Sequence, residues 1–316
     1  MSGSVLITGG AGFIGSHIAE AYLADGWSVT CLDDLSRGKA EQVPADARFI
    51  KADVRSATAF QAIADGGFDV VVQQAAQIDV RVSVHEPALD ASINLVGFAN
   101  VLAAVAAGKV KRVVFASSGG VVYGDPAGIP TPEPTANLPI SPYGVSKLAG
   151  EHYLRVLGEL HGFEGVALRY SNVYGPRQDP ASEAGVVSIF VSRLLAGKPL
   201  TIFGDGTQTR DYVFVRDVAR ANLLAGRVAV SRGDRLDVPA FNIATGRETS
   251  VNDLAQFVGR AIGVTPVIEY APARAGELAR SCLDVSKAAQ QLGWSPTITF
   301  DEGMKALAGW FEGTVR

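Results

Sequence analysis

Apolar residues in the first half of the chain follow two alternating rhythms. Short continuous runs, SVLIT (4–8), WSVTCLDD (27–34), RFIKAD (48–53), FDVVVQQA (68–75) and KRVVFASS (111–118), are β-branched or aromatic and bounded by turn residues, and they predict strands. Between them IGSHIAEAYLADG (14–26) and PALDASINLVGFANVLAAVAAG (87–108) predict helices, the first ending at Gly26. After a proline-rich stretch, YGVSKLAGEHYLRVLGELHG (143–162) predicts another helix, followed by the strand-like GVALRYSNVYG (165–175). Strands separated by crossover helices imply an α/β fold with a parallel sheet covered on both faces. Continuous rather than alternating apolar strands agree, since such a sheet is buried on both sides.

Beyond Gly175 the alternation loosens and Gly-Asp and Pro punctuation increases, as in GPRQDP, FGDGTQ and APARAGE. The expected organisation is a doubly wound domain over 1–175 with a returning segment at about 207–245. A smaller α/β substrate-binding lobe is expected from 176–206 and 246–316. At 316 residues, 47% hydrophobic and 19% charged, the chain is long enough for a large core and leaves little room for disorder. The net charge of −4 argues against nucleic acid, so any bound phosphate must be met by a few placed groups. Cys31 and Cys282 are the only cysteines, and no cysteine/histidine cluster has metal-ligand spacing. The N-terminus lacks a basic region followed by a long apolar run, and no apolar stretch is expected to span a membrane. A cytoplasmic protein without membrane partners is the expectation.

TGGAGFIG follows the first strand and opens the first helix. Gly10, Gly12 and Gly15 fit G-x-G-x-x-G, and Gly9, Gly12 and Gly15 give a three-residue repeat. Glycines there permit a tight turn, close backbone approach to a pyrophosphate and close helix–strand packing. The helix N-terminus then offers free N–H groups to the anion. Asp33 closes the second strand, where a carboxylate accepts from an adenosine ribose. It favours NAD, because it repels the 2′-phosphate of NADP, although nearby Arg37 and Lys39 keep NADP open. This is the Rossmann pattern. Asp53, by itself, reads better as a cap for SATAFQAIA than as a base contact.

In SPYGVSK (141–147), Ser141 and Pro142 read as N-cap and first helical residue. Tyr143 and Lys147 then share one face, a turn apart. A tyrosine hydroxyl titrates near pH 10, and a neighbouring ammonium would lower that value. The spacing alone is common on exposed helices. VVFASSGG adds weight, because Ser117 and Ser118 end a buried strand at the edge where ligands bind, although alone they read as turn residues.

Taken in order, TGGAGFIGSH, LDDLSRG, ADVR, FASSGGVVYG, SPYGVSK, LRYSNVYGPRQ, IFGDGTQTRDYVFVRDVA and RAGELARS resemble the extended short-chain dehydrogenase/reductase superfamily, and within it the UDP-glucose 4-epimerase group. The resemblance implies NAD as cofactor and interconversion of UDP-glucose and UDP-galactose through transient oxidation at C4. Gly9, Gly12, Phe13, Ile14 and Gly15 would lie against the cofactor phosphates, Asp33 on the ribose, and Asp53 and Val54 around the adenine. Ala75, Ala76, Gln77, Asn94 and Tyr170 would line the nicotinamide side. Ser118 and Tyr143 would contact the sugar at C4, with Tyr143 as base and Lys147 holding the nicotinamide ribose and tuning Tyr143. Asn172, Val186, Thr201, Phe203, Arg210, Arg274 and Glu277 would hold UDP, the two arginines suiting a diphosphate.

Small Ser281 would leave room for an N-acetyl group beside the sugar C2. Gln73 stands where relatives usually have histidine, and Ser171 where phenylalanine is usual. A 4,6-dehydratase would need an acid pair where Gly119 and Gly120 stand. UDP-glucuronate 4-epimerases and 4-keto-sugar reductases remain open, and a non-catalytic NAD sensor is the distant alternative. The family resemblance also implies a homodimer through the two long helices.

Overall fold

The computed structural model describes residues 3–180, 185–230, 235–273 and 278–315. Its strands are β1 (Ser4–Thr8), β2 (Ser28–Asp33), β3 (Arg48–Lys51), β4 (Val70–Gln73), β5 (Arg112–Ser118), β6 (Glu164–Tyr170), β7 (Asn172–Tyr174), β8 (Leu200–Phe203), β9 (Thr209–Arg210), β10 (Tyr212–Phe214), β11 (Ala240–Ile243), β12 (Thr249–Ser250) and β13 (Ile268–Ala271). Seven of them form one sheet in the order β11-β6-β5-β4-β1-β2-β3, with every pairing parallel. Strand order reverses between β1 and β4, which opens a crevice at their carboxyl ends.

The two-residue period explains why these strands read as continuous apolar runs. Val5 and Ile7 of β1 point into one core with Val70 and Val72 of β4 and Val114 of β5. Leu6, Val71, Val113 and Phe115 point into the other. A third cluster gathers Phe190, Val191 and Leu194 with Leu200, Ile202, Leu254, Val258 and Met304. β8 and β13 pair beside it.

Two sequence expectations need correction, and two elements carried no sequence signal. GVALRYSNVYG is two strands, broken at Ser171, because β6 pairs within the main sheet while β7 pairs with β10. β11 had no periodic signal and joins as an edge strand from a distant segment. The chain between Val80 and His85, for which no element was expected, is a helix capped by the Asp79 carboxylate. Helix Pro87–Ala107 is, by length and composition, apolar enough to cross a membrane. Here Phe98, Val101, Leu102 and Val105 bury into the core instead.

The Pro142–His161 helix starts as its sequence requires: the Ser141 hydroxyl accepts from the Gly144 N–H at 3.2 Å, and Pro142 occupies the first turn. It ends at Gly162, whose φ of 82° is the left-handed cap that glycine adopts without strain. One face carries Gly150, Glu151 and Leu154 against the sheet, while Gly144 lies against the short segment that follows β5. A Cβ on Gly150 would sit 2.6 Å from the Phe115 ring, and one on Gly144 would sit 2.9 Å from the Val121 carbonyl. Glycine inside a helix costs about 1 kcal/mol each relative to alanine. That cost is accepted because it lets the helix lie directly on β5.

Behind this contact Arg169 and Glu151 are fully buried and paired twice, Nε to Oε1 at 2.9 Å and Nη2 to Oε2 at 2.6 Å. Arg169 also donates to Tyr123 and the Glu133 carbonyl, while Ser117 donates to Glu151 at 2.5 Å. Ser117 is therefore a strand residue anchored inward, and the turn reading fails for it. Removing one partner strands a buried charge, so Glu151→Ala is expected to lower unfolding free energy by about 3–5 kcal/mol. Urea titration checks this, and a Glu151→Leu/Arg169→Met double variant should recover most of the loss.

Candidate functional site

The crevice is built first from the turn after β1. Gly9 has φ of 66°, and a Cβ there would meet the Ala75 backbone at 2.8 Å. Glycine is thus required where the loops after β1 and β4 touch. A Cβ on Gly15 would meet the Gly9 carbonyl at 2.1 Å, so Gly15 serves close packing of helix on turn. Around Gly12, a Cβ would find only that carbonyl, at 3.2 Å. The helix Phe13–Ala24 begins at Gly12 with no side-chain cap and no acidic residue in its first turn. Its free N–H groups and positive dipole end, with space above Gly12, fit a dinucleotide pyrophosphate held by backbone.

Asp33 is buried at the end of β2 and accepts from Ala11 N at 3.1 Å and Leu35 N at 2.8 Å. Burial pushes its carboxyl up and the two N–H donors pull it back. Its remaining lone pairs are available to ribose hydroxyls, while Arg37 and Lys39 lie exposed. Asp53 does not cap the next helix: Ser56 does, accepting from Ala59 N at 3.1 Å. The Asp53 carboxylate pairs with Arg55, which holds it below the usual carboxylate range. Val54 points into the core, where a Cβ on Gly97 would press on it at 2.8 Å.

On the other side of the crevice, Ala75, Ala76 and Gln77 follow β4, all half-buried. Gln73 spans the strand end, accepting from Thr8 Oγ1 and donating to the Ala75 carbonyl, both at 2.8 Å. Its polar atoms are satisfied, which accounts for glutamine being tolerated there. Gln77 and Asn94 hold each other reciprocally at 2.9 and 3.0 Å. Asn94 lies in a π-helical turn, Ser92–Val96, that widens helix Pro87–Ala107 at this point. The Tyr170 hydroxyl is engaged by Gln74 and Asn222. Ser171 Oγ is buried without a hydrogen-bond partner among the described residues.

Ser118 ends β5 and precedes a short helix, Gly119–Val122, without spending its hydroxyl on that cap. Lys147 is buried, and its Nζ donates to the Ala116 carbonyl at 2.9 Å. This ties the helix to β5 two residues before Ser118. Tyr143, one turn earlier on the same face, stands near the end of that strand. Lys147 Nζ is 5.6 Å from the Tyr143 ring centroid.

The sequence expectation that the ammonium lowers the Tyr143 hydroxyl is not met by the protein's own groups. Burial first, and then the Asp90 carboxylate, push Tyr143 up. Burial pushes Lys147 down to about 8, and Asp90 opposes it. Asp90, Ser146, Ser83 and Gln74 were not picked out from the sequence. The available signal was Asp90 itself, a lone acid within an apolar helical run.

In the second lobe, Asn172 opens β7, and its N–H donates to the Asp211 carbonyl at 3.0 Å. Val186 heads the helix Val186–Leu195. The two-residue period of β8 buries Leu200 and Ile202 and leaves Thr201 and Phe203 half-buried on the opposite face. Arg210 donates to the Thr209 and Leu278 carbonyls, both at 2.8 Å. Ser281 is half-buried, its N–H on the Thr209 carbonyl at 3.2 Å. Arg274 and Glu277 lie outside the described residues.

A glycine turn feeding an uncapped helix, a carboxylate ending β2 and a Tyr/Lys helix pressed against a serine-ended strand describe a dinucleotide-dependent enzyme of the Rossmann class. The model of the NAD dependent epimerase/dehydratase family matches residues 5–244, and the chain belongs to that family. It is 43% identical over 311 residues to the UDP-glucose 4-epimerase of Mycolicibacterium smegmatis, covering 97% of each chain. The structure of UDP-glucose 4-epimerase with UDP-glucose from Thermotoga maritima superposes with a TM-score of 0.93 at 41% identity, over 99% of this chain and 100% of that one. UDP-glucose 4-epimerase from Thermus thermophilus in complex with NAD gives 0.89 at 42% identity, over 98% and 99%.

Lys147 carries its charge below about pH 8 and loses it above. Support for a Tyr143 phenolate disappears in the same direction. The kcat profile is therefore expected to fall above about pH 8. Lys147→Met is expected to lose ~10²-fold in kcat and to lack that limb, as initial rates across pH would show.

Proposed function

We propose that this protein is an NAD-dependent UDP-sugar 4-epimerase interconverting UDP-glucose and UDP-galactose. The observation that supports the reading is the Lys147–Ala116 bond, which ties the helix bearing Tyr143 to β5 two residues before Ser118. Phe13, Ile14 and the glycine turn would hold the pyrophosphate and Asp33 the adenosine ribose. Asp53, Val54, Ala75, Ala76, Gln77, Asn94 and Tyr170 would line the rest. Bound there, NAD supplies reversible oxidation at the sugar carbon C4. Tyr143 takes the proton from the C4 hydroxyl and later returns it. Ser118 hydrogen-bonds the same oxygen and steadies that transfer. Lys147 places a positive charge behind the phenolate and on the ribose. Asn172, Val186, Thr201, Phe203 and Arg210, with Arg274 and Glu277, would clamp UDP while the 4-keto sugar turns its other face. Small Ser281 leaves the sugar C2 side open to an N-acetyl group.

The lobe division fits this reading. The third apolar cluster would be the core of the sugar-nucleotide lobe, while Leu292 and Trp294 return to the core of the sheet. Cys31 and Cys282 are buried free thiols, in keeping with a reducing cytoplasm.

We also propose a homodimer. Val145, Tyr153, Val156 and Leu160, spaced eight, three and four residues apart, share one helix face and are exposed, Leu160 by 72%. Val84, Leu89 and Val96 are exposed on the neighbouring helices, Val96 by 60%. An apolar two-helix face of this kind suits a four-helix bundle with a second copy.

Two outcomes are expected. Tyr143→Phe should cut the rate of UDP-galactose appearance from UDP-glucose by ~10²–10⁴-fold, followed by proton NMR of the anomeric signals. Undiminished turnover would defeat the assignment. A Val156→Glu/Leu160→Glu variant should sediment as a monomer where the wild type sediments as a dimer.

A further inference from the structure

Helix Pro87–Ala107 buries a single carboxylate, Asp90, at 1% exposure, and donors from two other segments and from the next turn of its own helix converge on it. Ser146 Oγ donates at 2.6 Å, Gln77 Nε2 at 2.9 Å and Asn94 Nδ2 at 3.0 Å. Gln77 belongs to the loop after β4, Asn94 to the π-helical turn, and Ser146 to the helix that carries Tyr143 and Lys147. A structural carboxylate gains nothing from adjoining a proton-transfer pair, whereas this one occupies the junction between that pair and the crevice wall. Ser83 extends the same seam, its Oγ accepting from the Tyr143 N–H at 3.1 Å.

We propose that Asp90 is a positioning residue whose buried negative charge sets the pH range over which the Tyr143–Lys147 pair works, while its hydrogen bonds hold that pair in register with Gln77 and Asn94. The inference rests on Tyr143 and Lys147 having the roles given above.

The surrounding charges are few. β5 offers Lys147 only the Ala116 carbonyl and, 5.1 Å away, the Phe115 ring. On their own helix Tyr143 and Lys147 face each other, and Glu151 is already committed to Arg169. From helix Val80–His85 comes the neutral Ser83 hydroxyl. Asp79, at its start, is paired with Arg81. Asp90 is thus the uncancelled charge behind the pair. An anion there raises the proton affinity of both neighbours: it keeps Lys147 charged against the effect of burial and makes Tyr143 harder to ionise.

The test is the kcat profile of the NAD-loaded full-length chain on UDP-glucose, with wild type, Asp90→Asn, Ser146→Ala and Tyr143→Phe in parallel. Asp90→Asn keeps the shape and removes the charge, so the fall above about pH 8 should move to lower pH by about one unit. Ser146→Ala removes a donor that partly cancels the charge, so that fall should move the other way by less. A scaled-down but unshifted profile for Asp90→Asn would reduce Asp90 to a structural residue and overturn the proposal. Should Asp90→Asn fail to fold, Ser146→Ala decides, an unshifted or acid-shifted profile counting against the idea. Activity in Tyr143→Phe would instead overturn the roles on which the inference rests.

Discussion

The seating of the Pro142–His161 helix on β5 is the constraint from which the rest of the site follows. Gly150 leaves no side chain between the helix and the Phe115 ring of β5, Gly144 lets the first turn lie on the Val121 carbonyl just beyond that strand, and Lys147 can then reach the Ala116 carbonyl. A bulkier residue at Gly150 would press on the Phe115 ring and push the helix, and Lys147 with it, away from β5. Burial has a second consequence. It strips the Lys147 ammonium of solvation, so its charge is retained only because a carbonyl and the Asp90 carboxylate lie nearby.

Around this contact the protein has placed most of its buried polar chemistry. Arg169, Glu151, Ser117, Tyr123, Glu133 and Asn242 form a continuous network on one side of β5 and β6. Asp90, Gln77, Asn94 and Ser146 form another on the other side of the Pro142–His161 helix. Fully satisfied networks in a low-dielectric interior rigidify what they join. The helix therefore sits between two rigid supports, while Val145, Tyr153, Val156 and Leu160 on its outer side stay exposed.

On the proposed reading a transient 4-keto sugar would have to turn without leaving, which would divide the labour between the two lobes. The sheet would supply the crevice edge and the proton-handling groups. The smaller lobe would supply half-buried side chains such as Thr201 and Phe203, set on one face by the period of β8. Apolar packing through Tyr174, Tyr212 and Phe214 joins β7 and β10 to the third cluster.

The sequence by itself determined what depends on local chemistry. The first five strands, the glycine turn, Asp33 at a strand end and the Ser141–Pro142 start of the helix follow from residue periodicity, backbone freedom and capping, all readable within a few positions. Tyr143 and Lys147 were legible as a one-turn pair, and their family resemblance gave them roles. Tertiary structure decided everything that needs a partner far along the chain. β11 is a strand because β6 offers it an edge, and GVALRYSNVYG breaks at Ser171 because its halves meet different strands. Asp90 turned from a stray charge in an apolar helix into the acceptor of three buried donors. Asn94 lies one turn on in its own helix, whereas Gln77 and Ser146 lie 13 and 56 residues away and only the fold brings them to it.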